Sequence, residues 1–255
     1  MSASIPPKPT VILVHGMWSN FSTWAQTPMA LEQAGYTLLH YELPQHGGRF
    51  TDPDALACLG IQDYVADLVA VIESLPKAPI LVGHSMGGLI ALLAAARTQV
   101  HRLMLVSPAA AAGSVLWTPM NLMGLLRSGL KQLFGFRSFK LNEWEAKLLL
   151  CNDMNRTDRL ALMTTLQPES GKALLQIAFW PLDKSASTRM DWPALRCPVR
   201  LYLGGRDRLI PAYALRRLHA LADFKITTDR PSGHMVFNGP RNAVFTHWLL
   251  DHIQA

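Results

Sequence analysis

Ile80-Leu81-Val82-Gly83-His84-Ser85-Met86-Gly87-Gly88 is the stretch on which the fold turns: an apolar strand that breaks into Gly-x-Ser-x-Gly and continues as an apolar helix. A serine at the tip of a sharp strand-to-helix turn needs neighbours without a Cβ two residues to either side, because sheet and helix pack closely there. Gly83 and Gly87 occupy those positions. The same turn puts the Met86 N–H at a helix N-terminus, where aligned peptide dipoles favour negative charge. Ser85 is therefore a candidate nucleophile and Met86 a candidate oxyanion donor. Read alone, the pattern is also that of an ordinary glycine-rich turn, and its surroundings decide between the two.

Outward from this turn the chain alternates. Thr10–Val14 and Tyr36–Tyr41 read as strands with a helical stretch, Trp24–Gln33, between them. A helix over Ile61–Leu75, the strand Ile80–Val82, a helix over Met86–Arg97 and a strand over Arg102–Val106 follow. Short apolar strands separated by helices belong in a parallel sheet covered on both faces. Leu89–Ala96 is apolar all round, as a fully buried helix would be. From 109 to 192 the rhythm stops in favour of helical patches without a good strand, which reads as an inserted helical cap. It resumes with Val199–Leu203, a helix near Ala212–Leu221, a strand near Phe224–Thr228 and a closing helix over Pro240–His252. The expected organisation is an α/β core in two parts, 1–108 and 193–255, with the cap 109–192 between them.

With 49% hydrophobic residues in 255, the chain can fill one core plus an insertion. Its start, Met1–Thr10, lacks the layout of a signal peptide, and no apolar run reaches the roughly 18 residues of a membrane span; a cytoplasmic protein is expected, peripheral membrane contact aside. Cys58, Cys151 and Cys197 suit neither a disulfide framework nor a zinc site, so no metal is expected. The net charge of +6 is scattered rather than striped, which argues against nucleic acid as a partner.

A serine hydroxyl needs a base within hydrogen-bond reach and a third group to orient that base. In an open parallel sheet both come from loops beyond the carboxyl ends of strands. Of nine histidines, His234 in Pro231-Ser-Gly-His-Met235 follows the last strand and precedes the last helix, which makes it the best base. His46 also lies in a loop, upstream of the serine. His15 either shapes the loop after the first strand or takes part in proton transfer, and the first reading is preferred. Asp207, in Gly204-Gly-Arg-Asp-Arg-Leu-Ile-Pro211, directly follows a strand and is the best acid; Asp183, Asp191 and Asp229 are the alternatives. The second oxyanion donor should come from His15-Gly16-Met17-Trp18, where Gly16 lets the Met17 N–H face Ser85.

In the cap, Leu116, Trp117, Met120, Met123, Leu126, Phe134 and their neighbours form a dense apolar segment. Ordinary packing accounts for most of it; Met120, Met123 and Trp180, with Trp18 of the core, are the candidates for lining an acyl pocket, methionine being flexible and polarizable. The basic residues Arg127, Lys131, Arg137 and Lys140 would face outward.

His15-Gly16, Gly83-His84-Ser85-Met86-Gly87-Gly88, Gly205-Arg206-Asp207 and Gly233-His234, in this order over Thr10 to about His252, resemble the α/β-hydrolase superfamily in its compact esterase, lipase and lactonase branches. The resemblance implies a mostly parallel central sheet flanked by helices, a helical cap, a Ser85-His234-Asp207 triad, Met17 and Met86 as backbone oxyanion donors, and no cofactor. One departure is Glu42-Leu-Pro-Gln-His-Gly47, where many relatives carry Asp-x-Pro-Gly-x-Gly. Serine rather than aspartate as nucleophile sets the chain apart from the haloalkane dehalogenase and epoxide hydrolase branches. The expected activity is hydrolysis of small-molecule carboxylic esters with a small to medium apolar acyl group. Thioester, lactone or C–C bond hydrolysis, a lyase, or a receptor with a vestigial triad remain alternatives on the same scaffold.

Overall fold

The computed structural model describes residues 8–113, 137–215 and 224–254. Its centre is a six-stranded sheet of β1 (Val11–Val14), β2 (Leu38–Leu39), β3 (Ile80–His84), β4 (Arg102–Val106), β7 (Val199–Gly204) and β8 (Lys225–Asp229). The spatial order is β2-β1-β3-β4-β7-β8, and every neighbouring pair runs parallel. Every residue of β1, β3 and β4 is buried, as expected of parallel strands covered on both faces. The outermost β8 is exposed along Lys225–Thr228. At the other edge β2 keeps only two residues of the six expected, Leu38 and Leu39, which pair with Val11 and Ile12 of β1.

The helices are α1 (Thr27–Gln33), α2 (Pro53–Cys58), α3 (Ile61–Glu73), α4 (Met86–Ala95) and, closing the chain, α8 (Asn242–Ile253). All ten residues of α4 are buried, and it packs on β3, β4, β1 and α3. The helical stretch expected over Trp24–Gln33 is instead a 3-10 turn, Phe21–Trp24, followed by α1, with Ala25 at φ 51° between them. The helix expected near Ala212 opens as a 3-10 turn, Ala212–Leu215, and its remainder lies outside the described residues.

The inserted helical cap contributes α5 (Glu143–Leu149), α6 (Arg156–Thr165) and α7 (Gly171–Ala178). Asn142, Asn155 and Ser170 cap them, each accepting a backbone N–H of the first turn. Contrary to the expectation of no strand, Ser138–Phe139 (β5) and Glu169–Ser170 (β6) pair as a small antiparallel ribbon. Two-residue strands are too short to leave an alternating pattern in sequence. Met120 and Met123, with most of the dense apolar segment, lie outside the described residues.

The cap is fastened to the core by backbone and side-chain hydrogen bonds on several elements. The Gln167 N–H donates to the Trp18 carbonyl at 2.7 Å. Gly47 N–H donates to Gln167 Oε1 at 2.8 Å, Ile61 N–H to Gln176 Oε1 at 2.8 Å, and the Ser170 hydroxyl to the Leu59 carbonyl at 2.6 Å. Among the described residues, no helix is long and apolar enough to cross a membrane.

Candidate active site

Ser85 sits between β3 and α4 at φ 52°, ψ −122°, a backbone conformation that is strained for any residue with a Cβ. The strain is held by four backbone hydrogen bonds. Ser85 N–H donates to Val106 O at 3.0 Å, and the Ser85 carbonyl accepts from Gly88, Leu89 and Ala109. The expected need for glycine is met twice. A Cβ on Gly83 would lie 2.6 Å from the Gly87 carbonyl oxygen, and one on Gly87 would drive into the carbonyls of Val14 and His15.

The loop after β1 folds against this turn. A Cβ on Gly16 would stand 2.9 Å from the Ser85 Cβ, so only glycine lets the chain pass this close and carry Met17 alongside the serine. Trp18 follows at φ 60°. Among the described residues neither the Met17 nor the Met86 N–H has a backbone acceptor.

His15 shapes this loop. Its Nδ1 meets the Gly16 carbonyl at 3.0 Å, and its Nε2 accepts the Leu43 N–H at 3.2 Å. The same Nε2 also stands 3.3 Å from Glu42 Oε2. Burial pushes the His15 pKa down despite this carboxylate.

Asp207 and His234 come from the loops after β7 and β8. His234 Nδ1 lies 2.7 Å from Asp207 Oδ2, with the histidine side chain 1% and the aspartate side chain 0% exposed. Asp207 Oδ1 accepts the Leu209 and Ile210 N–H groups at 2.9 and 2.8 Å. Engagement through Nδ1 turns the imidazole Nε2 away from the acid. The His234 carbonyl accepts from His84 Nε2 at 3.1 Å, and the two rings are 4.7 Å apart between centroids. The His234 loop is therefore tied to the residue that precedes Ser85. Burial, reinforced by His234, holds the His84 pKa well below its ordinary value, so His84 is a neutral strut.

The other candidates are engaged elsewhere. Asp183 accepts from the Ser185 and Ser187 hydroxyls, Asp229 pairs with Arg241 at 2.7 Å, and Asp191 precedes the 3-10 turn Trp192–Ala194. The Trp18 indole is 1% exposed and meets Phe139 edge-on at 5.6 Å, while half-buried Trp180 opens the 3-10 turn Trp180–Leu182. Among the described residues no cluster of three or more His, Cys, Asp or Glu is arranged to hold a metal.

His46 lies in a buried cluster rather than beside Ser85. Its Nε2 stands 3.1 Å from Glu169 Oε2, both side chains being 0% exposed, and its Nδ1 stands 3.0 Å from the Pro44 carbonyl. Glu169 Oε1 accepts from the Tyr64 hydroxyl at 2.8 Å and the Ser170 N–H at 2.7 Å. Two acceptors around one imidazole call for a proton on each nitrogen. Burial opposes that charge, but Glu169 outweighs it and raises the His46 pKa; burial likewise opposes the Glu169 carboxylate, whose pKa is nonetheless lowered by His46 and its donors. Sequence reasoning missed this link between core loop and cap, since its halves are 123 residues apart.

The sign of the linkage follows. The His46 contribution to stability is complete below its ordinary value of 6.5 and is lost as pH rises through the raised pKa. The Glu169 contribution is complete above its ordinary value of 4.5 and is lost as pH falls through the lowered pKa. His46→Gln, which leaves the buried carboxylate without its cationic partner, should therefore cost about 3–5 kcal/mol. Urea denaturation at a series of pH values should show the largest deficit between pH 4.5 and 6.5, narrowing towards alkaline pH; a deficit that grows with alkalinity would contradict the charged pair.

A parallel sheet with a strained serine turn after its third strand, an acid–imidazole pair beyond two later strands and a cap over them is the architecture of an α/β hydrolase. Residues 11–246 match the model of the Alpha/beta hydrolase family, and the chain belongs to that family. Among curated relatives, Methylesterase 7 of Arabidopsis thaliana is 36% identical over 87 residues, 33% of each chain. The matches to the curated relatives span about a third of their lengths, 33% and 37%. Among solved structures, an esterase of Exiguobacterium antarcticum superposes with a TM-score of 0.73 at 16% identity, covering 98% of this chain and 94% of that one. A methylesterase of Arabidopsis gives 0.72 at 16% identity, with 97% and 99% covered.

Proposed function

We propose that this protein is a serine carboxylester hydrolase. Ser85 is the nucleophile, His234 the base and Asp207 the residue that orients the imidazole, with the Met17 and Met86 N–H groups as oxyanion donors. The observation that carries the reading is the 2.7 Å His234–Asp207 hydrogen bond on a loop tied to His84, the neighbour of the strained serine. The relatives named as esterases and methylesterases support the same class.

In the first half-reaction His234 Nε2 takes the hydroxyl proton as Ser85 Oγ attacks the ester carbonyl, and the carbonyl oxygen becomes an anion facing the two N–H groups. Collapse expels the alcohol, which takes the proton from the imidazolium, and leaves an acyl group on Ser85. A water deprotonated by the same ring then releases the acid and restores the serine. Asp207 holds the proton on Nδ1, which keeps Nε2 basic and stabilises the imidazolium. The cap, over 109–192, supplies the acyl side of the pocket. Trp18, Trp180, Met120 and Met123 are assigned to its wall from the sequence, and small to medium apolar acyl groups are the proposed substrates.

The test is covalent labelling by a fluorophosphonate, followed by hydrolysis of p-nitrophenyl esters of increasing chain length. Rapid labelling and rates that rise from acetate towards butyrate or hexanoate are expected. A folded protein that does not label would sink the enzyme reading, and a strict preference for acetate would sink the apolar pocket.

A further inference from the structure

Asn152 and Asp153 follow α5 in the cap, yet each reaches a different catalytic loop. Asp153 Oδ2 accepts the Gly233 N–H at 2.7 Å, and Asn152 Nδ2 donates to the Arg206 carbonyl at 3.0 Å. Gly233 immediately precedes His234, and Arg206 immediately precedes Asp207. The two loops are also laced to each other, since Arg206 N–H donates to the Ser232 carbonyl at 2.8 Å.

We propose that Asn152 and Asp153 are positioning residues for the Asp207–His234 pair, so that two neighbouring side chains of the cap set the register of acid and base. The inference rests on the reading of those two residues as the acid and base of the site. Their segment is itself anchored. Cys151 and Met154 are buried, Cys151 N–H donates to the Ala146 carbonyl at 2.9 Å, and Met154 N–H donates to the Cys151 carbonyl at 3.2 Å.

The fit around Gly233 is close. Asp153 Oδ1 and Asn152 Oδ1 are both buried without a hydrogen-bond partner, and both crowd the Gly233 Cα. A Cβ added there would collide with Asp153 Oδ1 and stand 3.2 Å from Asn152 Oδ1. Gly233 is thus glycine because the cap presses on it, and its buried N–H has the Asp153 carboxylate as its acceptor. Truncating that carboxylate orphans the N–H next to the base, and the loop must shift to rehydrate it. Displacements of about an ångström at a reacting group cost on the order of a hundredfold in rate. The substrate-binding surfaces elsewhere are untouched, so the loss should fall on kcat rather than KM.

The experiment compares Asp153→Ala, Asp153→Asn, Asn152→Ala and Asn155→Ala in the full chain. The last removes the cap of α6, where Asn155 Oδ1 accepts the Asp158 N–H and Asn155 Nδ2 donates to Asp158 Oδ2, and controls for loosening of the cap domain. Two readouts are taken: kcat and KM on p-nitrophenyl butyrate, and the downfield proton resonance of the His234 Nδ1–H, assigned by its loss in His234→Ala. Asp153→Ala should lower kcat by about tenfold to a hundredfold with KM nearly unchanged, and should broaden or shift the resonance. Asn152→Ala should do the same to a smaller extent. Asp153→Asn, which keeps an acceptor oxygen, should restore most of both. Asn155→Ala should lower Tm and leave both readouts near wild type.

A folded Asp153→Ala with wild-type kcat and resonance would overturn the proposal. So would an Asn variant as impaired as the Ala variant, or equal losses in Asn155→Ala. If Asp153→Ala does not fold, Asn152→Ala and Asp153→Asn decide by the same readouts. The resonance does not depend on ester turnover, so a wild type inactive on esters would defeat the proposed function while leaving this inference testable.

Discussion

Ser85→Ala should reduce ester hydrolysis by about 10⁴-fold or more and abolish fluorophosphonate labelling. The expectation is specific because the turn does not depend on the hydroxyl. Its four holding hydrogen bonds all use the Ser85 backbone, running to Val106 and from Gly88, Leu89 and Ala109. Alanine also keeps the Cβ that the φ of 52° already accommodates. The variant should therefore fold with a Tm close to wild type, and the residual rate should come from the Met17 and Met86 donors and from binding. Persistence of labelling in Ser85→Ala would place the reactive nucleophile on another side chain.

Asp207→Asn should lower kcat by about 10⁴-fold, although it changes only one atom type. Asp207 Oδ1 is committed to two backbone donors, the N–H groups of Leu209 and Ile210. The amide must keep its oxygen on that side, since turning the NH₂ there would set donor against two donors. The NH₂ then faces His234 Nδ1 in place of the present acceptor. The imidazole responds by accepting at Nδ1 and carrying its proton on Nε2, where it can no longer take one from Ser85. Asp207→Ala should also be slow, but without this enforced tautomer its loss should respond to added formate, which can occupy the vacated acceptor position. An Asp207→Asn variant of near wild-type activity would move the role of the acid elsewhere, and the alternatives are poorly placed: Asp183 is bound to Ser185 and Ser187, and Asp229 to Arg241.

How much of this was legible in the chain depends on the range over which each feature is encoded. The strand Arg102–Val106 has the same bounds in sequence and structure, and α3 differs only at its C-terminal end. Both are continuous periodic or apolar runs whose burial requires no distant information. The strand expected over Tyr36–Tyr41 shrinks to Leu38–Leu39, because its length is set by where it meets the distant β1, at Val11 and Ile12 only. Within the site, the position of His15 in the loop after the first strand favours a loop-shaping role, and its ring meets the Gly16 carbonyl and the Leu43 N–H. His46, also a loop histidine, is turned to Glu169, and the sequence around it carries no sign of that partner.

By itself the sequence determined the serine turn and the parallel α/β rhythm, since both follow from sterics between residues a few positions apart and from burial repeated along each element. Only the tertiary structure decided which charges meet. The pairs Asp207 with His234, His46 with Glu169 and Asp153 with Gly233 join residues 27, 123 and 80 positions apart. Such pairings leave no periodic trace, because a buried polar group is satisfied by whatever the fold brings beside it.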